Sequence, residues 1–210
     1  MLYTRQSGLI SVSGLKRSSV SIIGSGSTGS FTALGLSKMG VGSIEIFDED
    51  GVSEHNLPNQ FFRHKDIGQF KVDALKEIIK DFGNTKLIIH KCFYTDQLLQ
   101  PIVITCTDSL ESRKIVWERF LQQHGTQYFI DGRMGGEFAH VYCVNKKDIE
   151  FYEKSFLKKA ENLPCSERSI IYCVMIIAGL LCRTVKAIIN NEKDFPKEIM
   201  FSMKNMVYIC

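Results

Sequence analysis

The chain has 210 residues, 44% hydrophobic and 23% charged, which are ordinary globular values and leave no room for a disordered, collagen-like or fibrous class. That length suits one well-buried domain spanning residues 1–210 and is too short for two full catalytic domains. Lysine and arginine number 26 against 23 acidic residues, a formal charge of +3 with no long basic run, so electrostatics give no case for nucleic acid.

The opening MLYTRQSGLI lacks the apolar core of a secretory signal. Residues 19–23 are a β-branched run that ends abruptly in Gly24-Ser25-Gly26-Ser27-Thr28-Gly29, and residues 30–36 follow with helical periodicity. Gly40 and Gly42 stop that helix, and residues 43–47 alternate as a second strand that ends on Asp48. Together they make a βαβ unit. Residues 51–68 are polar and irregular. Residues 71–82 then read as an amphipathic helix stopped at Gly83, 86–90 as a third strand, 101–106 as a continuous apolar strand, 110–124 as a helix and 128–131 as the next strand. From Gly135 the pattern changes. Residues 137–144 alternate, 145–148 form a polar turn, and 149–152 are expected to return as the second arm of a hairpin. The apolar run from Ile170 to Cys182 continues at helical spacing to Ile189, predicting a buried core helix rather than a membrane anchor.

Strands alternating with helices predict an α/β, doubly wound, Rossmann-like and mostly parallel sheet, with the hairpin and the long apolar helix toward the C-terminus. Ligand chemistry is then expected at the carboxyl ends of the strands, where Asp48, Asp108 and Asp131 fall. The seven cysteines, at 92, 106, 143, 165, 173, 182 and 210, include no Cys-x-x-Cys pair, which disfavours structural zinc. Several lie in apolar runs, with Cys173 and Cys182 read as core thiols, so a reducing cytoplasmic setting is expected.

Gly24-x-Gly26-x-x-Gly29 between a strand and a helix lets backbone amides approach phosphate groups at a helix N-terminus, where partial positive charge favours an anion. Asp48 follows at about 20 residues, the spacing at which an acid meets a ribose hydroxyl. The constellation predicts nucleotide binding without separating ATP from NAD, and an NAD-linked oxidoreductase rests on the glycine turn alone.

Further segments narrow the class. Asp48-Glu49-Asp50-Gly51-Val52, Asn56-Leu57-Pro58-Asn59-Gln60-Phe61 and Asp66-Ile67-Gly68-Gln69-Phe70-Lys71 together resemble the signature after the second strand in the ThiF/MoeB/ubiquitin-activating-enzyme family. Tyr3-Thr4-Arg5-Gln6, Cys106-Thr107-Asp108-Ser109 with Arg113, and Pro164-Cys165-Ser166-Glu167 extend the match in order over most of the chain. The resemblance implies an ATP-dependent adenylyltransferase that uses ATP and Mg²⁺ to activate the C-terminal carboxylate of a small ubiquitin-like or sulfur-carrier protein ending in Gly-Gly. It implies Asp48 as the ribose-binding acid, Asn56 and Lys71 as groups holding the triphosphate, and Asp108 as the carboxylate placed for Mg²⁺. Arg5 is similar to an arginine that family homodimers insert into the neighbouring subunit's site. Cys165 stands where many members carry a cysteine near the carrier tail.

The departures from the family pattern bear on activity. Asn59 stands where an arginine normally faces the phosphates, and a neutral amide does not replace a bidentate cation. Arg63, four residues on, is the candidate replacement, although both it and Arg113 also read as ordinary surface ion-pair partners. The resemblance is to a short form, without paired zinc motifs or a rhodanese-like extension. Asn59 keeps open a second reading, a non-catalytic scaffold of the same family that binds nucleotide or carrier.

Overall fold

The computed structural model describes residues 3–157 and 169–210. Strands β1 (Ser19–Ile23), β2 (Ser43–Phe47), β3 (Lys86–His90), β4 (Ile102–Thr105), β5 (Tyr128–Gly135), β6 (Phe138–Val144), β7 (Glu198–Ser202) and β8 (Val207–Ile209) form one sheet in the order β3-β2-β1-β4-β5-β6-β7-β8. The first five in that order pair parallel, and β6, β7 and β8 add on antiparallel. The strand order reverses between β1 and β4, so a crevice opens beyond their carboxyl ends.

Alternation along the central strands divides the core between two faces. Ile22, Ile44, Ile46, Ile104 and Ile130 face a cluster completed by α2 (Ser27–Met39), α3 (Lys71–Lys80) and α6 (Ile171–Ile189). Ile23, Phe47, Val103 and Phe129 face the other way, toward Val116, Trp117 and Phe120 of α4 (Leu110–Gln122) and Tyr152 of α5 (Ile149–Glu153). The doubly wound sheet expected from the sequence is therefore present, with both faces covered. By length and composition α6 is apolar enough to cross a membrane. Its residues Cys173, Val174, Ile177, Leu181 and Val185 are fully buried, on the helix that packs against α2, β5 and β6.

Two sequence expectations need correction. The hairpin partner of β6 is β5, which runs on to Gly135 and turns at Gly136, whose φ of 56° suits glycine. Residues 149–152 are not a strand but lie in α5. The Asp148 carboxylate accepts from Asn145 N–H at 3.0 Å and its carbonyl accepts from Tyr152 N–H at 3.0 Å, so the polar turn starts a helix instead of a return strand. The antiparallel extension β7–β8 and the short helix α1 (Val12–Arg17), whose Ser11 side chain accepts from Gly14 N–H, were not anticipated.

Leu181 is wholly buried in α6 where the helix crosses Gly132 of β5. Leu181→Ala is expected to destabilise the protein by about 2–5 kcal/mol through lost transfer energy and a residual cavity, measured by denaturant unfolding.

Candidate functional site

The glycine turn is shaped by two close approaches. Gly24 has φ of 94° and faces the Cys106 carbonyl, and a methyl group at Gly29 would collide with the Gly24 carbonyl oxygen. Glycine at both positions lets α2 begin directly on the end of β1. Asp48, at the end of β2, locks the turn from the side: its carboxylate accepts from Ser25 N–H at 2.6 Å and from Asp50 N–H at 2.9 Å. The Ser25 hydroxyl is buried with no partner among the described residues.

Residues 51–70 leave the sheet and return as a closed excursion. Gly51 and Phe70 bridge antiparallel at its base, and Lys71 N–H donates to the Asp50 carbonyl at 2.9 Å. Lys71 is the first residue of α3, buried along its stem, with its ammonium 2.7 Å from the Asp50 carboxylate. The cation is therefore carried by its own loop closure to the mouth of the crevice.

A cleft of about 260 Å³ opens here, and Gly24, Gly26, Asp48, Lys71 and Asp108 all line it. Its lining includes the apolar side chains of Ile23, Phe47, Phe93, Tyr94 and Val116 and the polar ones of Ser27, Asp50 and Gln60. Among the described residues, four carboxylates, from Asp48, Glu49, Asp50 and Asp108, and one lysine line this surface. No group of three or more metal-ligating side chains is present among the described residues.

The loop that carries Asp108 is held from behind. Arg113 donates both to the Thr107 carbonyl and to Asp131, which is fully buried and also accepts from Arg133 at 2.6 Å and from Tyr152 hydroxyl at 2.8 Å. Arg113 is thus a buried anchor and not a surface pair partner, its side chain only 7% exposed. Burial opposes the charge on Arg133, but the Asp131 carboxylate outweighs it and raises the guanidinium pKa.

The other sequence candidates lie elsewhere. Gly29 sits behind the turn. Asn56 Oδ1 is engaged by Ser53, accepting from its N–H at 3.2 Å and its hydroxyl at 2.7 Å. Asn59 Nδ2 donates to the Ser169 carbonyl at 3.2 Å. Arg63 forms a two-pronged pair with the buried Asp66, with both contacts at 2.9 Å. Arg5 is exposed on a 3-10 turn, Thr4–Gln6. None of these five lines the cleft. Cys165 lies outside the described residues. Cys106 lines the cleft, but burial pushes its thiol up to about 12, and Cys143 and Cys182 likewise, so these three are protonated at neutral pH. Gln60, Phe93 and Tyr94 were not singled out from the sequence. Gln60 follows Asn59 within the same motif, and that position was the available signal.

A family model described as the ThiF family matches residues 3–207. The chain belongs to the ThiF family. Among curated relatives, the tRNA threonylcarbamoyladenosine dehydratase of Bacillus subtilis is 39% identical over 85 residues, which is 40% of this chain and 34% of that protein. The adenylyltransferase and sulfurtransferase uba4 of Aspergillus niger is 31% identical over 49% of the chain and 23% of its own length. The probable molybdopterin-synthase adenylyltransferase of Gracilaria tenuistipitata var. liui is 24% identical over 80% of the chain and 48% of its own length. The chain thus spans less than half the length of each of these relatives. The fold is shared with E. coli MccB, in a crystal structure with AMPCPP and MccA, at a TM-score of 0.79 and 16% identity over 100% of this chain and 70% of that one. PaaA matches at a TM-score of 0.77 and 19% identity, over 94% of this chain and 73% of that one.

The Arg63–Asp66 pair supplies a pH-dependent part of the stability of the excursion. Burial pushes the Asp66 carboxyl up, but hydrogen bonds from the Arg63 side chain and backbone N–H outweigh it and hold the group below its ordinary 3.8. A carboxyl lowered in the folded state contributes fully above its unfolded pKa and loses that contribution as pH falls through the folded value. Arg63→Ala is expected to unfold at lower denaturant than the wild type at pH 7, with the two midpoints converging as the pH drops below the ordinary carboxylate range.

Proposed function

We propose that this ThiF-family chain is an ATP-dependent adenylyltransferase acting on the C-terminal carboxylate of a small ubiquitin-like or sulfur-carrier protein. The observation that carries the reading is the convergence of the glycine turn, Asp48, Lys71 and Asp108 on one crevice at the point where the strand order reverses. The apolar lining residues suit a base, the Asp48 carboxylate a ribose, and the α2 N-terminus with Lys71 a run of phosphates.

A C-terminal carboxylate is ionised at neutral pH, so its attack on the α-phosphorus of ATP requires no general base. A bond forms between carboxylate oxygen and α-phosphorus, the bond to the β-phosphate breaks, and pyrophosphate leaves, giving an acyl adenylate. The obstacle is repulsion between anions. Lys71, restrained by Asp50, is a fixed cation ready at the leaving phosphates without reorganisation. One lysine against four carboxylates is an unfavourable surface for a triphosphate, and Mg²⁺, with Asp108 as its protein ligand, would supply the missing positive charge. Asp108 itself is kept facing the cleft by the Arg113 anchor on Thr107. Arg5 is proposed to reach a partner copy's phosphates in a homodimer, and the Cys165 thiolate to attack the acyl carbon of the adenylate, forming a thioester as the acyl–phosphate bond breaks and AMP leaves. With the described core thiols held protonated, such capture falls to a cysteine outside them.

One observation favours the second reading, a nucleotide- or carrier-binding scaffold: position 59 offers no cation, and Arg63 is committed to Asp66. ATP–pyrophosphate exchange separates the two. With Mg²⁺ and a carrier ending in Gly-Gly, wild type is expected to exchange label, and Lys71→Ala to lose roughly 100-fold or more, the scale of losing one transition-state charge contact. Cys165→Ala should retain exchange while losing any thiol-sensitive carrier adduct. Absence of exchange with every such carrier, in a protein that still binds ATP, would establish the scaffold.

A further inference from the structure

We infer that His90, held in place by Glu45, is a positioning residue for the base end of the cleft and acts through Phe47, a role that rests on the reading of that cleft as an ATP site. Ile23, Phe47 and His90 are register partners or next to one another across the carboxyl ends of β1, β2 and β3, and Ser21 and Glu45 form the row before them. Helix α4 packs on β4 and β5, and Tyr94 and Leu99 join Ile23 and Phe47 in the same apolar layer. Glu45 brings a carboxylate to this layer with its side chain only 12% exposed. Both of its oxygens are engaged: Oε1 accepts from His90 Nε2–H at 2.7 Å, and Oε2 from Gln100 Nε2–H at 2.8 Å. Gln100 is itself fixed by its backbone N–H, which donates to the buried Ser21 hydroxyl at 2.9 Å. A carboxylate withdrawn from water gains little stability from such bonds over an apolar side chain of similar size, so what the arrangement supplies is position.

The group it positions is the imidazole ring. His90 stacks on Phe47 with ring centroids 4.2 Å apart and planes 7° from parallel, and Tyr94 meets Phe47 edge to face at 5.3 Å. Tyr94 is anchored at its far end, where its hydroxyl donates to the Gln97 carbonyl at 2.9 Å. Phe47 and Tyr94 line the cleft, whereas His90 does not. The Phe47 ring is therefore held between two fixed rings, and a base meeting it finds a surface that needs no ordering on binding. Lys71 and the α2 N-terminus, assigned to the phosphates, belong to other elements. The bond from Asp48 N–H to the His90 carbonyl, 3.1 Å, involves only the backbone and survives a change of side chain. Loss of the imidazole should thus be felt by the nucleoside half of the ligand and not by its phosphate half.

Calorimetric titration of ATP, AMP and tripolyphosphate, each with Mg²⁺, into wild type, His90→Leu and His90→Phe tests the role, alongside thermal unfolding of each protein without ligand. His90 lies on the edge strand β3 with its side chain 30% exposed, so both variants are expected to fold. Loss of one aromatic pair predicts ATP and AMP binding about two- to tenfold weaker in His90→Leu, with tripolyphosphate binding unchanged. His90→Phe keeps a ring against Phe47 while giving up the bond to Glu45, and should bind ATP and AMP more tightly than His90→Leu does. A weakening that tripolyphosphate shares, His90→Phe as weak as His90→Leu, or losses that track a lowered unfolding temperature would each overturn the role. Wild type failing to bind ATP would remove the nucleotide reading and this role together, whereas ATP bound by His90→Leu as tightly as by wild type would remove only this role.

Discussion

The glycine turn holds because two backbone carbonyls leave no space for a side chain. Gly29 lies against the Gly24 carbonyl and Gly24 against the Cys106 carbonyl, so α2, β1 and β4 meet at a distance that a methyl group would break. Asp48 then fixes the remaining degree of freedom by accepting from the turn and from Asp50 at once. The rest of the cleft is placed from this joint. Asp50 carries Lys71 into position, and Ser30, one residue beyond Gly29, holds the 59–61 segment. A fault at the turn would misplace the cation and the 59–61 segment together.

A second fixed point lies deeper, at Asp131. Its carboxylate is fully buried between Arg113, Arg133 and the Tyr152 hydroxyl, whose own ionisation burial pushes far above the ordinary range. A buried carboxylate of this kind is costly unless every lone pair is used, and here both oxygens are engaged. The return is positional: Arg113 reaches past Asp131 to the Thr107 carbonyl and so fixes the strand end that carries Asp108. Burial in the same interior pushes the Cys106, Cys143 and Cys182 thiols well above their ordinary range, so these three are protonated at neutral pH.

The parallel half of the sheet was legible because each strand carries its own signal: β-branched runs, a glycine turn, and an acid at the strand end. The antiparallel half was less so. β7, Glu-Ile-Met-Phe-Ser, alternates weakly, and Ile149 to Tyr152 gives the same apolar count as strand or helix, with Asp148 deciding in favour of helix. Within the site, Asp48, Lys71 and Asp108 were found from motif position, and they line one cleft. Arg63 carried a readable sign of its fate, an acid three residues on, whereas the burial of Arg113 depends on β5 arriving beside it and has no local signature. Which of two adjacent amides, Asn59 or Gln60, faces the cleft is decided by Ser169 and Ser30, both distant in sequence.

The central claim is that the crevice between β1 and β4 is an ATP site built on the glycine turn and Asp48. Isothermal titration of wild type and Asp48→Ala with ATP and with NAD, in the presence of Mg²⁺, tests it most directly. The expected result is saturable ATP binding by wild type, much weaker binding by Asp48→Ala, and no preference for NAD. NAD bound in preference to ATP, or unchanged ATP affinity in Asp48→Ala, would contradict it.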